Sequence, residues 1–339
     1  MDLQALVVRA AQLGASDLHV AAGVPPLVRI DGELNRLSET AVSATELETA
    51  LLGLMEERQQ AAYQARREVD FALDVAGAGR YRVNVYAQLN GPGVVLRRIP
   101  TAMPALDSLG TPPIVAELAE RARGLILVTG PTGSGKSTTL AAMVDHRNRR
   151  YPEHILTIED PIEFVHPCEQ ALITQREVGQ HTEDVHHALR AALREDPDVI
   201  LVGELRDPDT IRLALTAAET GHLVLGTLHT RTAASSVDRI INTFPGDEQA
   251  QVRAMLAESL LAVISQSLLK REGGGRVAAF EVMVGVPAIR NLIRESNLAQ
   301  IPNALQTGQA SGMQTLQQSI QRLEQQGQVA PGAAERLGA

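Results

Sequence analysis

The chain has 339 residues, 44% hydrophobic and 21% charged, with a formal net charge of −9 and a pI near 5.5. That length accommodates two domains with separate cores, in the composition range of an ordinary soluble globular protein. The acidic balance, with four Tyr, four Phe and no Trp, argues against a basic nucleic-acid surface and base-stacking platforms. No apolar run reaches the length of a membrane span, and the first residues lack a basic region followed by an apolar core. The one cysteine, Cys168, excludes an intrachain disulfide and suits a reducing cytoplasm, where it reads as a spare thiol in a loop after Pro167.

Leu3, Leu6, Val7, Ala10 and Leu13 fall at helical spacing and predict an opening amphipathic helix. Residues 17–20 read as extended, and 28–34 place an Asp31-Gly32 hairpin turn between alternating residues. One helix is predicted over 45–64, then an extended run over 70–75 and a turn at 76–79. Over 80–85 the alternation puts Arg80, Arg82 and Asn84 on one strand face and Tyr81, Val83 and Val85 on the other. After Asn90-Gly91-Pro92-Gly93, residues 94–99 pair back as a hairpin. Residues 1–100 thus read as a separate α+β domain, and Pro100, Pro104, Pro112 and Pro113 mark 101–113 as an interdomain linker.

From about residue 114, strands at 125–129, 154–158, 198–202 and 223–227 alternate with helices, which implies a parallel sheet with crossover helices. This core is assigned to 114–275. The remainder, 276–339, is read as a C-terminal helical region. Helices are expected at 255–269 and 287–294, and a Gln-rich helix places Met313, Leu316, Ile320 and Leu323 on one side, fraying from about Pro331.

Within that core, Gly130-Pro131-Thr132-Gly133-Ser134-Gly135-Lys136-Ser137 fits the phosphate-binding pattern of Gly, four residues, then Gly-Lys-Ser. An apolar strand leads in and a helix beginning with Thr138 leads out. Glycines let successive N–H groups turn inward on an anion, and the helix adds its positive end. Gly130 to Thr138 are therefore the expected nucleotide contacts, with Lys136 reaching the β- and γ-phosphates and the Ser137 hydroxyl holding Mg²⁺.

Three later stretches carry the groups hydrolysis needs. An apolar strand ends in Glu159-Asp160-Pro161-Ile162-Glu163, and a second ends in Gly203-Glu204. A third is bracketed by His222 and His229. Each alone has an ordinary reading: a solvated turn, a charge at a helix N-terminus, a satisfied histidine. In order after a phosphate loop they converge, since carboxylates at the ends of parallel strands face the crevice where such sheets bind ligands.

Together these motifs resemble the Walker A, Asp-box, Walker B and His-box motifs of the secretion ATPases of the type II/type IV pilus superfamily. Ala15-Ser16-Asp17-Leu18-His19 extends the resemblance across essentially the whole chain. Residues 288–295, Ala-Ile-Arg-Asn-Leu-Ile-Arg-Glu, are similar to the C-terminal signature of the pilus-retraction branch. Ile289, Leu292 and Ile293 make an apolar stripe there, with Arg290 and Arg294 on a neighbouring face as expected partner contacts.

The resemblance implies an α/β fold: a RecA-like phosphate-loop ATPase domain with a smaller N-terminal α+β, PAS-like domain and C-terminal helices. It implies ATP and Mg²⁺, with Glu163 as the carboxylate that polarises water. Glu204 becomes the Walker B acid at the metal, its contact direct or through water, because Gly203 stands where many relatives of this loop carry Asp. His222 and His229 would couple nucleotide state to neighbouring elements. Arg80, Arg82, Arg97 and Arg98 lie on the hairpin that resembles an arginine donor, and Arg82 and Arg97 are favoured. The implied assembly is a homohexamer on the cytoplasmic side of the inner membrane, peripheral and not inserted. It would act on a membrane-embedded pilus platform protein and indirectly on pilin. The alternatives are an assembly ATPase for pilus extension or type II secretion, whose four-cysteine metal site a single cysteine rules out, and a RecA-like nucleic-acid translocase.

Overall fold

The structure is a computed structural model that describes residues 1–30, 32–99 and 103–337. The chain divides into two compact units, Met1–Ala102 and Met103–Ala339.

The first unit runs α1 (Leu3–Gln12), β1 (Asp17–Ala21), β2 (Leu27–Ile30), β3 (Glu33–Arg36), α2 (Ala44–Leu54), α3 (Glu57–Arg66), β4 (Glu68–Val75), β5 (Gly79–Gln88) and β6 (Gly91–Arg98). Its sheet has the order β3-β2-β1-β6-β5-β4 with every neighbour antiparallel. The core forms between one face of this sheet and α1 and α2, through Leu3, Val7, Leu18, Val20, Leu47, Leu51, Val83 and Leu96. The helix expected over 45–64 is two helices. Met55 leaves α2 in an extended conformation, and Glu56 starts α3 with a reciprocal cap to Gln59, an acid-and-amide version of the box that Ser43 and Glu46 form on α2. Asp31, Pro100, Thr101 and Ala102 lie outside the described residues, so the Asp-Gly turn is seen only through its antiparallel strands.

The second unit opens with a 3₁₀ turn (Leu106–Leu109) and α4 (Ile114–Ala119). The nucleotide-binding order follows: β7 (Gly124–Thr129), α5 (Lys136–Asn148), β8 (His154–Glu159), β9 (Leu172–Glu177), α6 (Val185–Ala192), β10 (Val199–Val202), α7 (Pro208–Thr220), β11 (Leu223–Leu228) and α8 (Ala233–Asn242). It closes with α9 (Gln249–Ser259), β12 (Leu260–Lys270), β13 (Arg276–Val284), α10 (Pro287–Arg294), α11 (Ile301–Thr307), α12 (Leu316–Gln325) and α13 (Ala333–Leu337). Within the expected linker, Leu106 is buried in one cluster with Val115 and Leu118, so that part of it belongs to the core of the second unit.

The sheet order is β13-β12-β7-β11-β10-β8-β9, parallel except for the β12–β13 edge. Period-2 alternation sends Leu125 and Leu127 into one core with α6 to α10, and Ile126 and Val128 into the other with α4 and α5. Strands covered on both faces read as unbroken apolar runs, which is why 255–269 resembles a helix in sequence. The helix stops at Ser259, and Leu260 onward forms β12 between β7 and β13. The C-terminal region is therefore not purely helical: 276–284 is an edge strand of the core sheet.

The C-terminal helices dock through named side chains. Ile289 and Ile293 of α10 are fully buried, each contributing about 2–3 kcal/mol by apolar burial. Ile320 of α12 is buried with Leu269 and Ala279, while Met313 precedes that helix and packs in the larger core. The buried Glu281 on β13 accepts from the Ala233 N–H (2.7 Å) and from the Leu316 N–H, so one carboxylate joins the first turns of α8 and α12.

Candidate active site

The loop between β7 and α5 is shaped by two glycines pressed against one residue. Gly130 (φ 145°) and Gly135 (φ 90°) hold left-handed backbone, and a Cβ at either would collide with Gln266 of β12. Pro131, Thr132 and Gly133 are exposed at the loop's crest, and Ser134 is buried. Gly135 caps α5, so Lys136, Ser137 and Thr138 occupy its first turn, at the positive end of a 13-residue helix. Lys136 is 8% exposed, and its Nζ donates to the carbonyls of Gly130 (2.9 Å) and Pro131 (3.1 Å). Burial holds its pKa below the ordinary lysine value, while the nearby charges of Glu204 and Glu163 work in the other direction.

Around this ammonium the parallel strands deliver the remaining groups at their carboxyl ends. His229, just past β11, lies between the lysine and the acid: Lys136 Nζ is 3.5 Å from its Nδ1, and its Nε2 is 3.4 Å from Glu204 Oε2. An ammonium only donates and a carboxylate only accepts, so these two contacts suit an accepting Nδ1 and an N–H at Nε2. Glu204, just past β10, also accepts from Arg206 Nη2 at 2.7 Å. Burial raises the pKa of Glu204, but the Arg206 hydrogen bond and charge, with His229, outweigh it and keep the carboxyl below its usual range. Gly203 makes this arrangement compact. Its N–H donates to Ile158 O at 2.8 Å, and an added Cβ would lie 3.2 Å from the same oxygen and 3.4 Å from Glu159 Cα.

At the end of β8, Glu159 accepts from Thr157 Oγ1 (2.6 Å), Gln175 Nε2 (3.1 Å) and the backbone N–H of Glu163. Burial pushes its pKa up despite these bonds. Glu159 thereby fixes the turn, with its cis Asp160–Pro161 peptide, that presents the exposed carboxylate of Glu163.

Most of the expected site residues thus come together: the 130–138 loop, Glu163, Glu204 and His229. His222 does not join them. It stands at the opposite end of β11, seven residues or roughly 20 Å away along an extended strand, with Nδ1 3.0 Å from Ala217 O at the end of α7. Bracketing a strand with two histidines puts only one at the carboxyl edge, and the motif's symmetry in sequence hides this. Arg82 and Arg97 lie opposite each other on β5 and β6 of the first unit, where Arg97 binds Asp17 at 2.8 Å and Arg82 lies 3.7 Å from Asp70. Arg290 is half-buried and donates to the carbonyls of Gly285, Ala257 and Glu258, tying α10 to the end of α9. Pro287, Ala288, Asn291 and Arg294 are the exposed residues of that helix. Two polar residues have no motif to announce them, Arg206 and Gln266. Cys168 is exposed and free.

The donor set fits a nucleotide with its metal. Ser134 Oγ is buried with no hydrogen-bond partner among the described residues, beside a lysine whose only close partners are two carbonyls and an imidazole. Ser137 and Glu204 are hard oxygen donors of the kind that hold Mg²⁺.

A phosphate loop opening a helix, with acids and a histidine gathered at one edge of a parallel sheet, defines a RecA-like phosphate-loop ATPase. Comparison narrows the class: residues 1–273 match the family described as type II/IV secretion system protein, and the chain belongs to that family. It is 52% identical over 327 residues to the type IV pilus retraction ATPase PilT of Pseudomonas aeruginosa, covering 96% of this chain and 95% of that one. It is 55% identical over 312 residues to a twitching motility protein of Neisseria gonorrhoeae, covering 92% and 83% respectively. A crystal structure of the pilus retraction motor PilT with bound ADP superposes with a TM-score of 0.93 at 46% identity, covering 98% of this chain and 96% of the other.

Proposed function

We propose that this chain is the ATP-driven motor that retracts type IV pili and so powers twitching. The observation that carries the catalytic half is the Lys136–His229–Glu204 chain at the carboxyl edge, with Glu163 beside it. The retraction half is supported by similarity, over nearly the full length, to proteins bearing that role in their names.

In the cycle, Lys136 exchanges its two loop carbonyls for phosphate oxygens, supplying charge where it develops in the transition state. Glu163 accepts a hydrogen bond from the attacking water and polarises it. The bond from the γ-phosphorus to its bridging oxygen breaks, and the bond to the water oxygen forms. Ser137 and Glu204 would hold Mg²⁺, whose contribution is to neutralise the phosphate charge. His229 touches both Lys136 and Glu204, so a change at the lysine reaches the acid and the loop leading into α8. Arg82 and Arg97 are the arginines proposed to supply guanidinium charge in the assembled ring. The motor works as a homohexamer on the cytoplasmic face of the inner membrane, against a platform protein of the pilus base and through it on pilin. Among the described residues no helix is long and apolar enough to cross a membrane, and the proposed attachment is peripheral.

Replacing the native gene with Lys136→Ala tests the reading. Turnover falls by on the order of 10³-fold, and cells carry many surface pili without twitching. Bald cells would assign the motor to pilus assembly instead.

A further inference from the structure

Gln266 lies in none of the four motifs, yet it is 4% exposed and placed against the phosphate loop. Its Nε2 donates to Ser134 O at 2.6 Å, and its Oε1 accepts from Thr139 Oγ1 at 2.8 Å. Both ends of the amide are thus used, which fixes which end is which. The same residue is the neighbour that excludes a side chain at positions 130 and 135: its backbone oxygen crowds Gly130, and its Nε2 would lie 2.7 Å from a Cβ at Gly135. Gln266 sits in β12 opposite Phe280 of β13, beyond β7.

We propose that Gln266 is the positioning residue that sets the phosphate cradle. In a trans peptide the carbonyl and the following N–H point in opposite directions. Holding the Ser134 carbonyl toward β12 therefore turns the Gly135 N–H away from β12 and into the set of donors that curl around an anion. Gly135 has an unhindered backbone, and without the clamp its peptide plane is free to rotate. Thr139, one turn into α5, orders the amide so that its N–H end meets the loop. The inference rests on the loop being the nucleotide site, not on what the motor drives, and nucleotide binding by the wild-type protein checks that premise separately.

The test is a fluorescent-ADP titration and steady-state ATPase on the full-length protein. Gln266→Leu raises the Kd and the KM for ATP by about tenfold, the effect of one lost hydrogen bond to a binding group, and leaves kcat within about twofold. Thr139→Val raises Kd by about threefold, and the double variant is no weaker than Gln266→Leu alone, because both act through one amide. Gln266→Glu is the discriminating variant. Its ionised carboxylate repels the Ser134 carbonyl, whereas the protonated acid donates to it. Nucleotide affinity of this variant therefore recovers as pH is lowered through the titration of that buried carboxyl, relative to wild type at each pH. A role in packing alone predicts no such recovery. Wild-type Kd in Gln266→Leu, additive effects of the two substitutions, or a pH-independent Gln266→Glu would each overturn the assignment. If Gln266→Leu fails to fold, Thr139→Val and Gln266→Glu decide it.

Discussion

The two sheets gather functional side chains by different geometry. In the second unit, β7, β8, β10 and β11 run parallel, so their carboxyl ends lie along one edge, and Gly130, Glu159, Glu204 and His229 meet there from widely separated parts of the chain. In the first unit every neighbour is antiparallel, so strand ends alternate and no edge collects them. What is collected instead is a row across the face: Arg29 of β2, Asp17 of β1, Arg97 of β6 and Arg82 of β5 are successive cross-strand partners. Directly opposed like charges are unfavourable without compensation. Here Arg97 binds the nearly buried Asp17, Arg82 lies 3.7 Å from Asp70, and Arg29 donates to the Gly32 carbonyl. An edge builds a cradle, and a face builds a charged stripe.

The comparison can be tested most sharply at the edge. Glu163→Gln lowers turnover by about 10²–10³-fold while nucleotide affinity stays within about twofold, as read by phosphate release and fluorescent-nucleotide titration. Normal turnover would remove this carboxylate from the chemistry. At the face, Arg82→Ala lowers turnover of the assembled protein by about tenfold to a hundredfold with little change in binding. Arg97→Ala is the less clean experiment, because it strands Asp17, and a fall in melting temperature is expected alongside. Unchanged turnover in both would leave the stripe a solvated surface.

A smaller effect separates the edge's chemistry from its packing. Burial pushes the His166 imidazole, in the loop after Glu163, down to about 4 from an ordinary value of 6.5. The fold binds the neutral form, so its contribution is complete above pH 6.5 and is lost as pH falls toward 4, on the order of 3 kcal/mol in all. Melting curves from pH 7 to pH 4.5 should therefore be flatter for His166→Gln than for wild type. The smallest effect on the enzyme belongs to the exposed residues of α10. Asn291→Ala and Arg294→Ala leave turnover and stability within about 0.5 kcal/mol of wild type while twitching falls. Arg290→Ala costs about 2 kcal/mol, because three carbonyls lose their donor.

Motifs made of neighbouring residues are readable from the chain: the phosphate loop, the strands that end in acids, and the apolar stripe of α10 all stand as expected. What sequence obscures is which strands lie side by side. β12 carries no alternation because both its faces are buried, so it passes for a helix, and Gln266 within it becomes meaningful only once β12 is known to lie beside β7. His222 errs the other way, since a residue near a motif strand looks functional until the strand's direction is fixed. Arg290 looked like a surface charge because helical spacing shows which side a residue is on, not that the end of another helix lies within its reach.

Gly203 bears on how movement passes through the site. It stands just past the paired stretch of β10 and β8, against Ile158 O and Glu159 Cα, with no side chain to act as a cushion between the strand that ends at Glu159 and the strand that leads to Glu204. Close-packed backbone transmits a displacement with little loss. The turn that carries Glu163 and the strand end that carries Glu204 are therefore geared together, like two teeth meshed without backlash. A methyl group inserted at 203 would act as a shim, spreading the two strands and letting one acid move before the other.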